Sequence, residues 1–222
     1  MADIRTLSVD VDTLETLRSE LRYTERRLLA RSETAALALP FQGLTLRWAV
    51  IRDSQVAHWD AEDDADVSVS NSDDDADDLI HPVSYKLLSV LGGSDHPVYA
   101  RILGSDAPSA IQGLGLESQV KRMADWPQSL RTASPELSGL AEQVEAVLTA
   151  GKAALDERSA AASARADFRV NELRAFFEEV NGVRLTTFGQ LLGIGASTGK
   201  PKNWAARFFR KGRKKKASEG EP

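Results

Sequence analysis

Residues 134–181 read SPELSGLAEQVEAVLTAGKAALDERSAAASARADFRVNELRAFFEEVN. Leu137, Leu140, Val144, Val147, Leu148, Leu155, Leu173, Phe176, Phe177 and Val180 recur at intervals of three and four, the repeat of one helix face. Ser134-Pro135-Glu136 opens the stretch with a capping hydroxyl, a pre-set φ and an acid near the positive helix end. At about 1.5 Å per residue such a helix is on the order of 70 Å long. Other helices must cover it, from this chain or from another. The spacing therefore predicts an all-α fold: an elongated, mostly antiparallel bundle of about four to six helices with one very long C-terminal helix.

The ends of that helix are defined differently. Gly182 follows Asn181 and is the natural stop. Leu185, Phe188, Leu191 and Leu192 nevertheless resume the spacing, so the helix runs over 134–181 or 134–192. Gly193, Gly195 and Gly199 then read as a flexible loop. Ala160, Ala161, Ala162, Ala164 and Ala166 make the middle small-sided, which predicts close approach of a neighbouring helix.

Working outward, a first helix starts at Asp12 with Glu15 as a capping-box partner and ends near Leu39, before Pro40. Leu7, Leu14, Leu21 and Leu28 repeat at seven with Leu17 on the same face, among alternating acids and arginines. Leu14, Leu17, Leu21 and Leu28 read as a seam, facing either a second chain or a partner helix of the same bundle. A second helix spans about 44–59. Val67 to Ser72 forms helix poorly, Ser72 opens a new helix, and Pro82 marks a kink or boundary before Gly92. Residues 92–115 are rich in loops, with one helical turn around 98–103, and a helix shortened or bent by Pro127 fits 116–130. A short helix fits 203–211, and 212–222 read as a disordered basic tail. The chain is expected to form a single domain over 1–211.

Composition narrows the chemistry. The 222 residues are 42% hydrophobic and 6% aromatic, which favours helix over sheet. There is no cysteine, so disulfides, zinc–thiolate sites and thiol nucleophiles are excluded. No run approaches the ~18 apolar residues that span a bilayer, and the N-terminus lacks a signal-like apolar core. A soluble cytoplasmic protein, not transmembrane, is the expectation. None of the three histidines, His58, His81 and His96, has a glutamate three residues before it, as a di-iron bundle needs. The segment Gly193 to Lys200 misses a phosphate loop: Gly195 to Gly199 is one residue short, and Pro201 follows Lys200. No catalytic residue, cofactor or metal site is expected, and no enzyme activity.

The net charge of −5 conceals a segregation. Residues 53–78 are acidic with no Lys or Arg. Asp60, Glu62, Asp64 and Asp66 alternate as in a calcium loop, but Ala65 stands where that loop has glycine, and Asn71 where it has glutamate. At the other end Trp204, Phe208 and Phe209 interleave with Arg207, Arg210 and Lys211, and Arg213, Lys214, Lys215 and Lys216 follow. Two functions fit. One is a non-enzymatic scaffold that binds a protein partner or itself, through the leucine seam. The other is a binding module for nucleic acid or anionic lipid, acting through this aromatic-basic segment.

Overall fold

The computed structural model describes residues 4–210, and among them there is no strand. The fold is all-α. Its helices are α1 (Leu14–Leu29), α2 (Leu39–Leu91), α3 (Pro97–Leu103), α4 (Pro108–Gln112), α5 (Leu116–Met123), α6 (Trp126–Ala133), α7 (Ser138–Asp167) and α8 (Arg174–Ser197). Between α7 and α8 the chain does not leave the helix but widens to a π-helical stretch, Phe168–Leu173. With the 3₁₀ turn Pro135–Leu137 ahead of α7, helical backbone is unbroken from Pro135 to Ser197. Ser134 caps it as expected, its hydroxyl accepting from the Glu136 amide. Neither Gly182 nor Gly193 stops it.

Three further boundaries differ from the sequence reading. The first helix is capped by Thr13, not Asp12, and ends at Leu29. Pro40 does not terminate it; it lies in the first turn of α2, where a missing N–H costs nothing. The 53-residue α2 then absorbs both segments that were read as separate helices, including Val67 to Ser72 and Pro82. Ala65, Ser72, Ala76 and Ile80 are its buried positions from 60 to 80 and keep helical spacing, but the first three side chains are too small or polar for an apolar pattern to register. Pro127 splits the 116–130 segment in two, standing in the first turn of α6.

The chain divides into two compact units. Unit 1 joins the residues up to Ala57 to those from Ala166 on, and unit 2 is His58–Arg165. In unit 2, Ile80, Val83 and Leu87 of α2 meet Ile102, Ile111 and Met123, with Trp126, Leu130, Val144 and Leu148 closing the core. Gly151 of α7 faces α5 closely, since a Cβ there would lie 3.1 Å from Leu116 and Val120. Beyond it Ala160, Ala162, Ala164 and Ala166 are exposed, so the alanine run does not mark close packing. Alanine serves there for its helix propensity where little burial supports the backbone.

In unit 1, Leu14, Leu17, Leu21 and Leu28 pack with Phe41, Leu44, Trp48 and Ile51 of α2 and Phe176, Phe177, Val180 and Leu191 of α8. The Trp48 indole N–H donates to the Leu14 carbonyl at 2.8 Å. Asn181 pairs with the backbone of Leu7 in both directions, at 2.7 and 2.9 Å. The buried Arg184 donates to Glu20 and to the Arg5 carbonyl, both at 3.1 Å. Burial pushes its guanidinium below its ordinary pKa, and the Glu20 carboxylate opposes that shift.

Candidate functional site: an arginine-lined groove

Helix α1 carries Arg18, Arg22 and Arg26 at intervals of four, which stacks them along one face. That face borders an open groove of about 430 Å³ lined by Glu15, Arg18, Ser19, Arg22, Tyr23, Arg26, Arg27 and Arg210. Five guanidinium groups thus stand against one carboxylate. Glu15 reaches Arg18 at 3.7 Å, where both side chains are exposed and the pair is weak. Among the described residues, no acid pairs with Arg22, Arg26 or Arg27.

The arginines are positioned from behind. The Arg18 guanidinium lies 4.6 Å from the centre of the Trp48 ring, and Arg210 sits 5.4 Å over Tyr23. Arg27 Nε donates to the Arg207 carbonyl at 3.3 Å, tying the 3₁₀ turn Ala205–Phe208 to α1. Arg210, the last described residue, therefore lies at the groove, and Lys211 is next in sequence. Arginine forks match phosphate oxygens in pairs, and a row of them one helical turn apart is a match for a repeating anion.

The aromatic-basic segment divides accordingly. Trp204, Phe208 and Phe209 are buried in the unit 1 core, with Trp204 edge-on to Phe208 and Phe209 edge-on to Phe188. Their burial gives them a packing role, and Trp204 also borders a surface pocket with Leu192, Lys200 and Lys202. Arg207 and Arg210 are exposed. Lys211, Arg213, Lys214, Lys215 and Lys216 lie outside the described residues. In place of the short helix read over 203–211 there is the 3₁₀ turn. The segment read as a flexible loop from Gly193 is helical to Ser197; Gly195 accommodates Trp204, whose ring would sit 3.3 Å from a Cβ there.

The leucine seam is occupied within the chain. Leu17 and Leu28 are fully buried and Leu14 and Leu21 nearly so, against α2 and α8 of unit 1. The sequence reading passed over Arg18, Arg22, Arg26 and Arg27 as the solvated side of that seam, although their spacing was the available signal.

The acidic block of unit 2 lies on a helix. Asp60, Glu62, Asp64 and Asp66 therefore splay around the α2 axis and do not converge as in a calcium loop. Among the described residues no three His, Asp or Glu side chains come together to hold a metal. His96 is a helix cap, Nδ1 accepting from the Val98 amide at 3.2 Å, and His81 stacks on Tyr85. No helix among the described residues is long and apolar enough to cross a membrane. Comparison with protein families, with curated proteins and with solved structures found no match to this chain.

Proposed function

We propose that the chain is a non-catalytic binding module for a phosphate-bearing polymer, nucleic acid in the first place, held in the α1 groove. One observation carries this reading: Arg18, Arg22, Arg26, Arg27 and Arg210 line a single groove that contains one carboxylate. Lys211, Arg213, Lys214, Lys215 and Lys216 follow Arg210 in sequence. Phosphate neutralisation by such a surface gives affinity without sequence preference and with a steep dependence on salt.

The test is anisotropy of labelled single- and double-stranded DNA and RNA across a salt series, with the paired substitution Arg22→Glu and Arg26→Glu. Both side chains are exposed, so the fold is expected to survive. Wild-type binding should weaken linearly in log–log form. The double variant should bind at least tenfold more weakly, with a slope shallower by about 1.4–1.8, since each lost phosphate contact removes ~0.7–0.9. A chain ending at Phe209 should lose a comparable share. No salt-sensitive binding by the full chain at low salt would overturn the proposal. Pelleting with anionic vesicles in place of nucleic-acid binding would move the groove to a lipid surface.

A further inference from the structure

Tyr23 stands apart from the other aromatic residues of unit 1. Every phenylalanine and tryptophan of that unit is buried in its core. Tyr23 is half-buried, and belongs neither to that core nor to the partly buried side chains packed against it. It lies in the wall of the arginine groove, with Ser19 one turn before it and Arg26 and Arg27 one turn after it on the same face of α1. The Arg210 guanidinium lies 5.4 Å from the centre of its ring. Its hydroxyl has no hydrogen-bond partner among the described residues.

The other two tyrosines have structural roles in unit 2. Tyr99 packs against the core there and shares a hydrogen bond of 3.1 Å with the Ser84 hydroxyl, and Tyr85 stacks on His81. Core packing gives no reason for a ring at Tyr23, and tyrosine is a poorer helix former than the arginines and glutamates around it. We infer that the groove takes a single strand of nucleic acid, one base lying flat on the Tyr23 ring while the arginines hold the phosphates on either side of it. This rests on the polyanion reading and narrows it.

A ring beside a row of cations selects among polyanions. In a duplex the faces of the bases are covered by their neighbours and only the edges show in the grooves, so Tyr23 gains nothing from it. A lipid headgroup has no flat ring to lay there. A single strand offers both parts, and a positive groove with an aromatic platform is the combination that binds one without sequence preference. The groove's volume of about 430 Å³ falls among sites that enclose one small molecule, the scale of a nucleotide rather than of a duplex. The Arg210 guanidinium already marks the place, as a planar group over the ring. A base that takes this position releases Arg210, which is exposed at the groove, to a phosphate oxygen.

Anisotropy with the full chain tests it, comparing a labelled single strand, as DNA and as RNA, with the DNA duplex of the same length over one salt series. The single strands should bind at least tenfold more tightly than the duplex. Tyr23→Leu should weaken single-strand binding at least fivefold, at the lower end of the ~5- to 150-fold that a lost stacked base costs. The ratio of single-strand to duplex affinity should fall with it, and the salt slope should stay, because no phosphate contact is removed. Tyr23→Phe keeps the ring and should restore single-strand binding. Circular dichroism should show both variants as helical as the parent. Three outcomes overturn the inference and leave the polyanion reading in place: equal affinity for strand and duplex, a Tyr23→Leu chain weakened alike for both or for neither, or a Tyr23→Phe chain as weak as Tyr23→Leu. A full chain with no salt-sensitive binding to strand or duplex overturns that reading, and this inference with it.

Discussion

Asp73 shows how a single side chain registers the segregation of charge. It lies on α2 in the acidic block, and one carboxylate oxygen is buried without a hydrogen-bond partner. Burial raises its pKa above the ordinary carboxylate value; Asp77 and Asp74 raise it further, and the Leu116 backbone amide pulls the other way. An acid whose folded pKa is raised binds its proton more tightly in the folded state. Stability therefore falls as pH rises from the ordinary aspartate range through the folded value, and the penalty persists at neutral pH. Asp73→Asn removes the charge and keeps an acceptor oxygen. Thermal melts at pH 7 should give the variant a higher Tm, with the difference closing in acid, where both side chains are neutral. An equal or lower Tm at pH 7 would show that the raised pKa has been misassigned. None of this was legible in the sequence, where Asp73 is one acid in a run of three, and the Leu116 amide that bonds its carboxylate comes from a distant segment.

Among the elements, α2 was the hardest to foresee and α7–α8 the easiest. The long apolar repeat from Leu137 to Val180 announced a helix because its buried side chains are large, and the helix it announced exists from the Ser134 cap onward. Between Trp59 and Leu79 the buried face of α2 is Ala65, Ser72 and Ala76, so the same periodicity is present without the hydrophobicity that reveals it. Pro82 compounds the disguise. Inside a helix it lacks the N–H that would bond to Asp78, and its ring crowds that carbonyl. Pro82→Ala is expected to stabilise the protein, by up to ~3 kcal/mol if the helix is otherwise unstrained there. Urea unfolding that shows no gain, or a loss, would mean that a bend at Pro82 is required by the packing of Ile80 and Val83. The candidate groove follows the same lesson at the opposite polarity. Its arginines were visible, but α1's leucines explained the helix so completely that the charged face attracted no reading.

For the whole molecule, the partition into two units changes what a domain experiment should ask. Unit 2 is continuous in sequence, has its own core, and Glu62 near its start pairs with Arg165 at its end. A fragment of residues 58–165 is therefore expected to fold alone, with strong helical circular dichroism and a cooperative melt. A broad, non-cooperative transition would show that the core from Ile80 to Leu148 depends on the rest of the chain. Unit 1 has no such freedom, since Leu14 and Leu28 reach their core only in company with Phe176 and Phe209. The fold class was legible from one stretch of sequence. The partition was not, because both chain crossings, after Ala57 and after Arg165, occur inside continuous helix with no Pro, Gly or loop signal to mark them.

That interrupted layout has a consequence for the order in which the protein is made. The bonds that close unit 1 join Leu7 to Asn181 and Glu20 to Arg184, separations of 174 and 164 residues. On a ribosome, which extends the chain from its N-terminus, unit 2 is complete well before Asn181 emerges. Its folding draws residues 58 and 165 together and so replaces a long flexible loop by a compact body. The entropy of loop closure falls accordingly. Until then the leucines of α1 and the aromatics of α2 have no α8 to cover them. The nascent chain passes through a stage in which the half-built unit exposes apolar surface, and the inserted unit shortens that stage by bringing the late segment home.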